Sequence, residues 1–105
     1  MGDDSSDLSN AIKAIVRERI NVLSSKRFVE LRELPSQTSE EIVLQRTKLT
    51  LSVWHDVLTS QDHRIVVQAY KPGVLGIGRM HADGFIVNKR NEKRSLTVEE
   101  WAPFS

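Results

Sequence analysis

The sequence predicts an α+β fold: an N-terminal amphipathic helix packed on an antiparallel β-meander of roughly four to six strands. Three observations predict it. Apolar residues recur at helical spacing early in the chain, and the period drops towards two from Arg27 onward. The second half is then punctuated by turn signals at Lys71-Pro72-Gly73-Val74, Ala82-Asp83-Gly84-Phe85 and Asn91-Glu92. At 105 residues the chain has the length of one domain. Residues 1–6, acidic and small, read as a flexible lead-in; residues 7–105 read as a single α+β domain.

The helix is the firmest element. Leu8, Ala11, Ile12, Ile15, Val16, Ile20 and Leu23 fall along one stripe, while Lys13, Arg17, Glu18 and Arg19 fall mainly on the wet side. Asp7 or a neighbouring serine can cap its first turn, and Ser24-Ser25 marks its end. Phe28 to Leu34 reads as a first strand, stopped by Pro35. From residue 41 to 58, Val43, Thr47, Leu49, Leu51, Val53 and Val57 alternate; a strand of that length outruns an ordinary sheet, so a break or bulge is expected near Arg46 to Lys48. A helical alternative for residues 39–46 has Ser39 as its cap.

If each later turn is a two-residue loop, the strand partners follow. Tyr70 faces Leu75, Val67 faces Gly78, Ile65 faces Met80, Met80 faces Val87, Val87 faces Leu96 and Phe85 faces Val98. That register puts Ile65, Val67, Ala69, Gly76, Gly78, Met80, Phe85, Val87, Leu96 and Val98 on one face, towards the helix. The other face then carries Val66, Gln68, Tyr70, Leu75, Ile77, Arg79, His81, Ile86 and Asn88, which is more apolar than a solvated face should be.

One helix covers one side of a sheet, so the second side needs its own cover. The C-terminal tail with Trp101, Pro103 and Phe104 could supply it, as could the strands of residues 28–57 or a second copy of the chain. The function this mismatch points to is a small binding or assembly module, non-enzymatic and self-associating as a homodimer, through Tyr70, Leu75, Ile77 and Ile86. A second reading is a small-molecule or weakly catalytic domain with a pocket between helix and sheet, lined by Trp54, Gly76, Gly78 and Met80. A third is a nucleic-acid accessory protein acting through the basic hairpin tip Lys89, Arg90, Lys93 and Arg94. The third is disfavoured, because no base-stacking aromatic is placed nearby and the net charge is only +1.

No motif carries a catalytic chemistry. His55, His63 and His81 lack the short-range spacing of metal ligands, so no metal or cofactor is expected, although His55 and His63 can approach if their strands pair. Gly73, Gly76 and Gly78 do not make a dinucleotide loop, since position 81 is histidine and no helix follows. The chain has no cysteine, which excludes disulfides and fits a reducing compartment. The start, MGDDSSDLS, carries acids where a secretory signal carries bases, and no apolar run is long enough to span a bilayer. A cytoplasmic location without membrane contact is the expectation.

Overall fold

The computed structural model describes residues 4–73 and 76–104, with side chains for 7–71 and 81–104. Helix α1 (Asp4–Ser24) is followed by a single helical turn, α2 (Phe28–Leu31). Five strands follow: β1 (Gln37–Leu44), β2 (Thr47–Val57), β3 (His63–Gly73), β4 (Gly76–Val87) and β5 (Lys93–Arg94). They form one antiparallel sheet in the order β1-β2-β3-β4-β5. A short helix α3 (Val98–Trp101) and a tight turn at Ala102–Phe104 end the described chain. The α+β layout is therefore the one the periodicity predicts.

The helix stripe is buried as expected. Ile12, Val16, Ile20 and Leu23 of α1 pack on Leu49, Leu51, Val53, Ile65, Val67, Ala69, Phe85 and Val87 from three central strands. Alternation puts the odd-numbered residues of β2 and β3 on this side, so one helix and one sheet face close the main core.

Four local readings need correction. Phe28 to Leu34 is not a strand: its start is the helical turn α2, whose first residue donates its N–H to Asn91 Oδ1 at 2.9 Å. The Glu30 carboxylate accepts from the Arg27 N–H at 3.2 Å, which satisfies an orphan donor at that helix start. Phe28 and Leu31, three apart, both turn inward, as one face of a helical turn requires and the alternation of a strand does not allow.

Secondly, the break or bulge expected near Arg46 to Lys48 is a full hairpin reversal at Gln45-Arg46 between β1 and β2, so the strand reading of this stretch holds over the helical alternative for residues 39–46. Both turn residues have positive φ, 50° and 66°. Such a turn normally advertises itself with Asn-Gly, and Gln-Arg gives no such sign.

Thirdly, Asp83-Gly84 does not turn the chain. It lies inside β4, where Gly84 pairs with Val66 and Asp83 with Val67. The last described pair of β3 and β4 is Gly73 with Gly76, and Gly78 sits opposite Lys71 rather than Val67 and Ile65 opposite Phe85 rather than Met80. The slip is four residues from Tyr70 to Gly73 and five from His63 to Ala69, the odd step falling at a bulge, while alternation within β3 itself keeps Ile65, Val67 and Ala69 on the helix side. A bulge at Ala69/Tyr70 leaves Met80 unmatched and brings His81 opposite Ala69, onto the helix side.

Finally, β5 is only two residues long, with Ile86 opposite Arg94 and Val87 opposite Lys93. The chain then leaves the sheet, so Leu96 and Val98 do not join the helix-side face. Leu96 packs on the other side and Val98 is 88% exposed. The cause is a helix cap: Thr97 Oγ1 accepts from the Glu100 N–H at 3.2 Å, and Glu100 Oε1 accepts from the Thr97 N–H at 2.9 Å.

Candidate functional site

The second sheet face is covered in part by the chain's own C-terminal segment. Val66, Ile86 and Leu96 form a small buried cluster, with Trp54, Leu58, Trp101 and Phe104 packed around it. Gly84 makes this approach feasible: a Cβ there would lie 2.6 Å from the Ile65 carbonyl oxygen and 3.3 Å from Leu96 Cδ1. The glycine in the strand thus marks a close approach, first of the β3 backbone at Ile65 and then of Leu96 in the tail.

Arg64 fastens the tail. Its guanidinium grips both carboxylate oxygens of Asp56, with Nε donating to Oδ1 at 2.9 Å, and its Nη1 donates to the Glu100 carbonyl at 2.7 Å. The same group lies 5.0 Å from the Phe104 ring centre. Five donors in a rigid fork let one side chain hold a strand neighbour and a distant backbone together. Glu100 is tied down in turn by Arg94, at 2.7 and 2.8 Å. The Arg94 contact, with the Thr97 N–H, holds the Glu100 carboxyl well below the usual range, at about 2.

Beside the tail a cleft of about 350 Å³ remains, lined by Trp54, Gln68, Tyr70, Pro103 and Phe104. No formal charge lines it. Trp54 and Phe104 meet edge to face, as do Trp101 and Phe104. Gln68 is buried and its Oε1 accepts from the Tyr70 hydroxyl. The indole N–H of Trp54 is buried and donates to nothing among the described residues. A buried donor without an acceptor is costly, by about 1–3 kcal/mol.

The expected site residues are thereby redistributed. Tyr70 and Trp54, assigned from sequence to two different sites, line one cleft. Ile86 is 1% exposed beneath the tail, so it offers no surface to a second copy of the chain. Trp54 belongs to the tail side and does not line a helix–sheet pocket with Gly76 and Gly78, because it pairs with Val66, on the face away from α1. Leu75 lies outside the described residues, as do the side chains of Ile77 and Met80. Gln68 was not singled out in the sequence; its alternation with Val66 and Tyr70 was the available signal.

The basic tip is less free than its composition suggests. Arg94 is paired with Glu100, and Lys93 Nζ donates to Asn91 Oδ1 at 3.1 Å, which leaves Lys89 and Arg90 as its exposed, unbridged cations among the described residues. Asn88 organises the loop by accepting from the Arg90 and Glu92 N–H groups at 2.9 and 3.0 Å.

His55 and His63 do meet, across β2 and β3. His55 Nδ1 lies 2.8 Å from the Leu34 carbonyl oxygen, and His55 Nε2 lies 2.7 Å from His63 Nδ1. A carbonyl only accepts, so His55 Nδ1 donates; in the neutral pair His55 Nε2 then accepts from His63 Nδ1–H. Burial, with the neighbouring His55 and Arg32, pushes the His63 pKa down from its ordinary value, against the pull of Asp62. Among the described residues no group of three or more His, Cys, Asp or Glu is placed to hold a metal ion. No described helix is long and apolar enough to cross a membrane.

What fold and cleft define is a class: a helix-backed antiparallel sheet whose second face is partly roofed by its own C-terminal segment. No family model, curated protein or solved structure matches the chain.

Proposed function

We propose that this protein is a non-enzymatic binding module whose site is the cleft between the sheet and the tail. Its ligand would be a small neutral molecule with a planar or ring-shaped apolar face and at least one hydrogen-bond acceptor. The observation that carries the reading is the lining: aromatic rings and proline, with the Gln68 amide and Tyr70 hydroxyl, and no charge. Binding pockets combine apolar walls with a few polar groups in this way, and the volume lies at the small end of their range. A charged ligand would meet no opposite charge there. The Arg64 guanidinium beside Phe104 is already paired with the Asp56 carboxylate and bonded to the Glu100 carbonyl. Self-association through this face has lost one of its supports, because the tail stands over Ile86.

The test is a fragment screen read by the indole N–H resonances of Trp54 and Trp101. Neutral aromatic amides such as benzamide and nicotinamide should shift the Trp54 signal saturably, and Gln68→Ala should weaken that response about tenfold, the loss of roughly one good hydrogen bond. Benzoate should respond more weakly than benzamide. No saturable shift from any neutral fragment at millimolar concentration would reject the cleft as a site.

A further inference from the structure

A second surface lies at the opposite edge of the sheet. Strand β1 is the last in the order, and among the described residues no strand pairs with its outer side. It runs for eight residues without proline or bulge, paired with β2 in unbroken register from Gln37↔Trp54 to Leu44↔Thr47. Its first five residues are all exposed, and Val43 is 63% exposed.

The polarity of this edge can be read from one bond. The His55 N–H donates to the Ser36 carbonyl at 3.0 Å, so Ser36 and His55 form a hydrogen-bonded pair. In an antiparallel ladder such pairs alternate, which turns the backbone groups of residues 38, 40, 42 and 44 towards β2. Those of Gln37, Ser39, Glu41 and Val43 therefore point outward, as a ready ladder of donors and acceptors. Natural edges of this kind carry guards, and here the guards are acidic. The Glu40 carboxylate is taken by Arg19 of α1, while Glu41 lies on the other face and has no ion pair among the described residues.

The same alternation says what these guards repel. Two copies of β1 meeting antiparallel about a twofold axis must match odd residues with odd residues. The two registers with the longest overlap place Glu40 against Glu40 or Glu41 against Glu41 of the second copy. Like charges directly opposite destabilise a strand pair, whereas opposite charges stabilise it.

We propose that β1 is a docking edge for an extended segment of a partner protein that carries lysine or arginine opposite Glu41, added to the sheet as a sixth strand. This goes beyond the cleft and uses a different surface. Main-chain bonds to the odd residues give the affinity, and the basic side chain sets the choice of partner.

The probe is a capped peptide of about eight residues alternating valine and lysine, added to the full chain and read by amide hydrogen exchange. At about ten times its dissociation constant it should slow exchange at Ser39, Glu41 and Val43 about tenfold, with Thr38, Glu40 and Ile42 little changed, because those amides are already bonded to β2. The same peptide with N-methylated backbone amides should lose this effect, as should one with glutamate in place of lysine. Equal effects from the lysine and glutamate peptides would overturn the proposal, as would the absence of odd-residue slowing at millimolar peptide. A chain that is already dimeric by light scattering, with the odd amides protected without peptide, would assign the edge to a second copy and also overturn it.

Discussion

The two faces of the sheet are closed by different physics. On the helix side, α1 lays a continuous aliphatic stripe over β2, β3 and β4, and the result is a dry core of residues such as Val16, Ile65 and Val87 with no exposed surface. On the tail side Val66, Ile86 and Leu96 are the buried apolar residues among those described, and their cover is a capped turn held by Arg64 and by half-buried aromatics. The first face is closed by area, at roughly 25 cal/mol per Å² of apolar surface removed from water. The second is closed by a few directional contacts. A region held by few contacts opens at lower free energy than a continuous core, so the tail should open before the helix does.

That contrast can be broken from its strong end. Ile65→Ala, on the helix side, should lower unfolding free energy by about 2–5 kcal/mol, the cost of a large-to-small change in a closed core, measured by urea titration. Phe104→Ala should cost on the order of 1–2 kcal/mol, since the ring is only half-buried and the tail can shift; a cost equal to that of Ile65→Ala would show that both faces belong to one core. Gly84→Ala tests the close approach at Gly84, where the β3 backbone and Leu96 of the tail both come near. Its new Cβ would press on a carbonyl, not on a flexible side chain end, so a loss of about 1–3 kcal/mol is expected, with the tail amides exchanging faster.

The smallest effect is the most selective. The His63 pKa is lowered on folding, so below pH 6.5 the unfolded chain binds more protons than the folded one. The contribution of His63 is therefore intact above pH 6.5 and is lost as pH falls from there towards the folded value. Glu100 acts in a lower window: its depressed pKa stabilises above 4.5, and that stability is lost as pH falls from 4.5 to about 2. Urea midpoints measured against pH should show two separate declines, with His63→Gln flattening the upper one and Glu100→Gln the lower.

Much of the fold was legible in the chain. The stripe from Leu8 to Leu23 announced the helix, and the alternation around Ile65, Val67 and Ala69 announced the face it covers. The surplus of apolar residues on the other face announced that something must stand there, with the tail among the named candidates. The turns were less legible. Gln45-Arg46 folds into a tight reversal that its side chains do not favour, and Asp83-Gly84 resembles a turn yet serves as a strand. The Thr97-x-x-Glu100 capping box was present in the sequence and would have ended the last strand early. The cleft was half legible: Trp54 and Tyr70 were singled out, but separately, because the register between β2 and β3 brings them to one side.

The sequence alone determined the periods of its elements, the apolar sides they carry and the absence of thiol chemistry. Those properties follow from residues close together in the chain, where the geometry of helix and strand is fixed. Only tertiary structure decided where β3 turns into β4, that His55 reaches His63, and that Arg64 pins a segment thirty-six residues away to the second face. Such outcomes depend on which distant partners satisfy a buried donor or fill a gap. Local spacing carries no record of that competition.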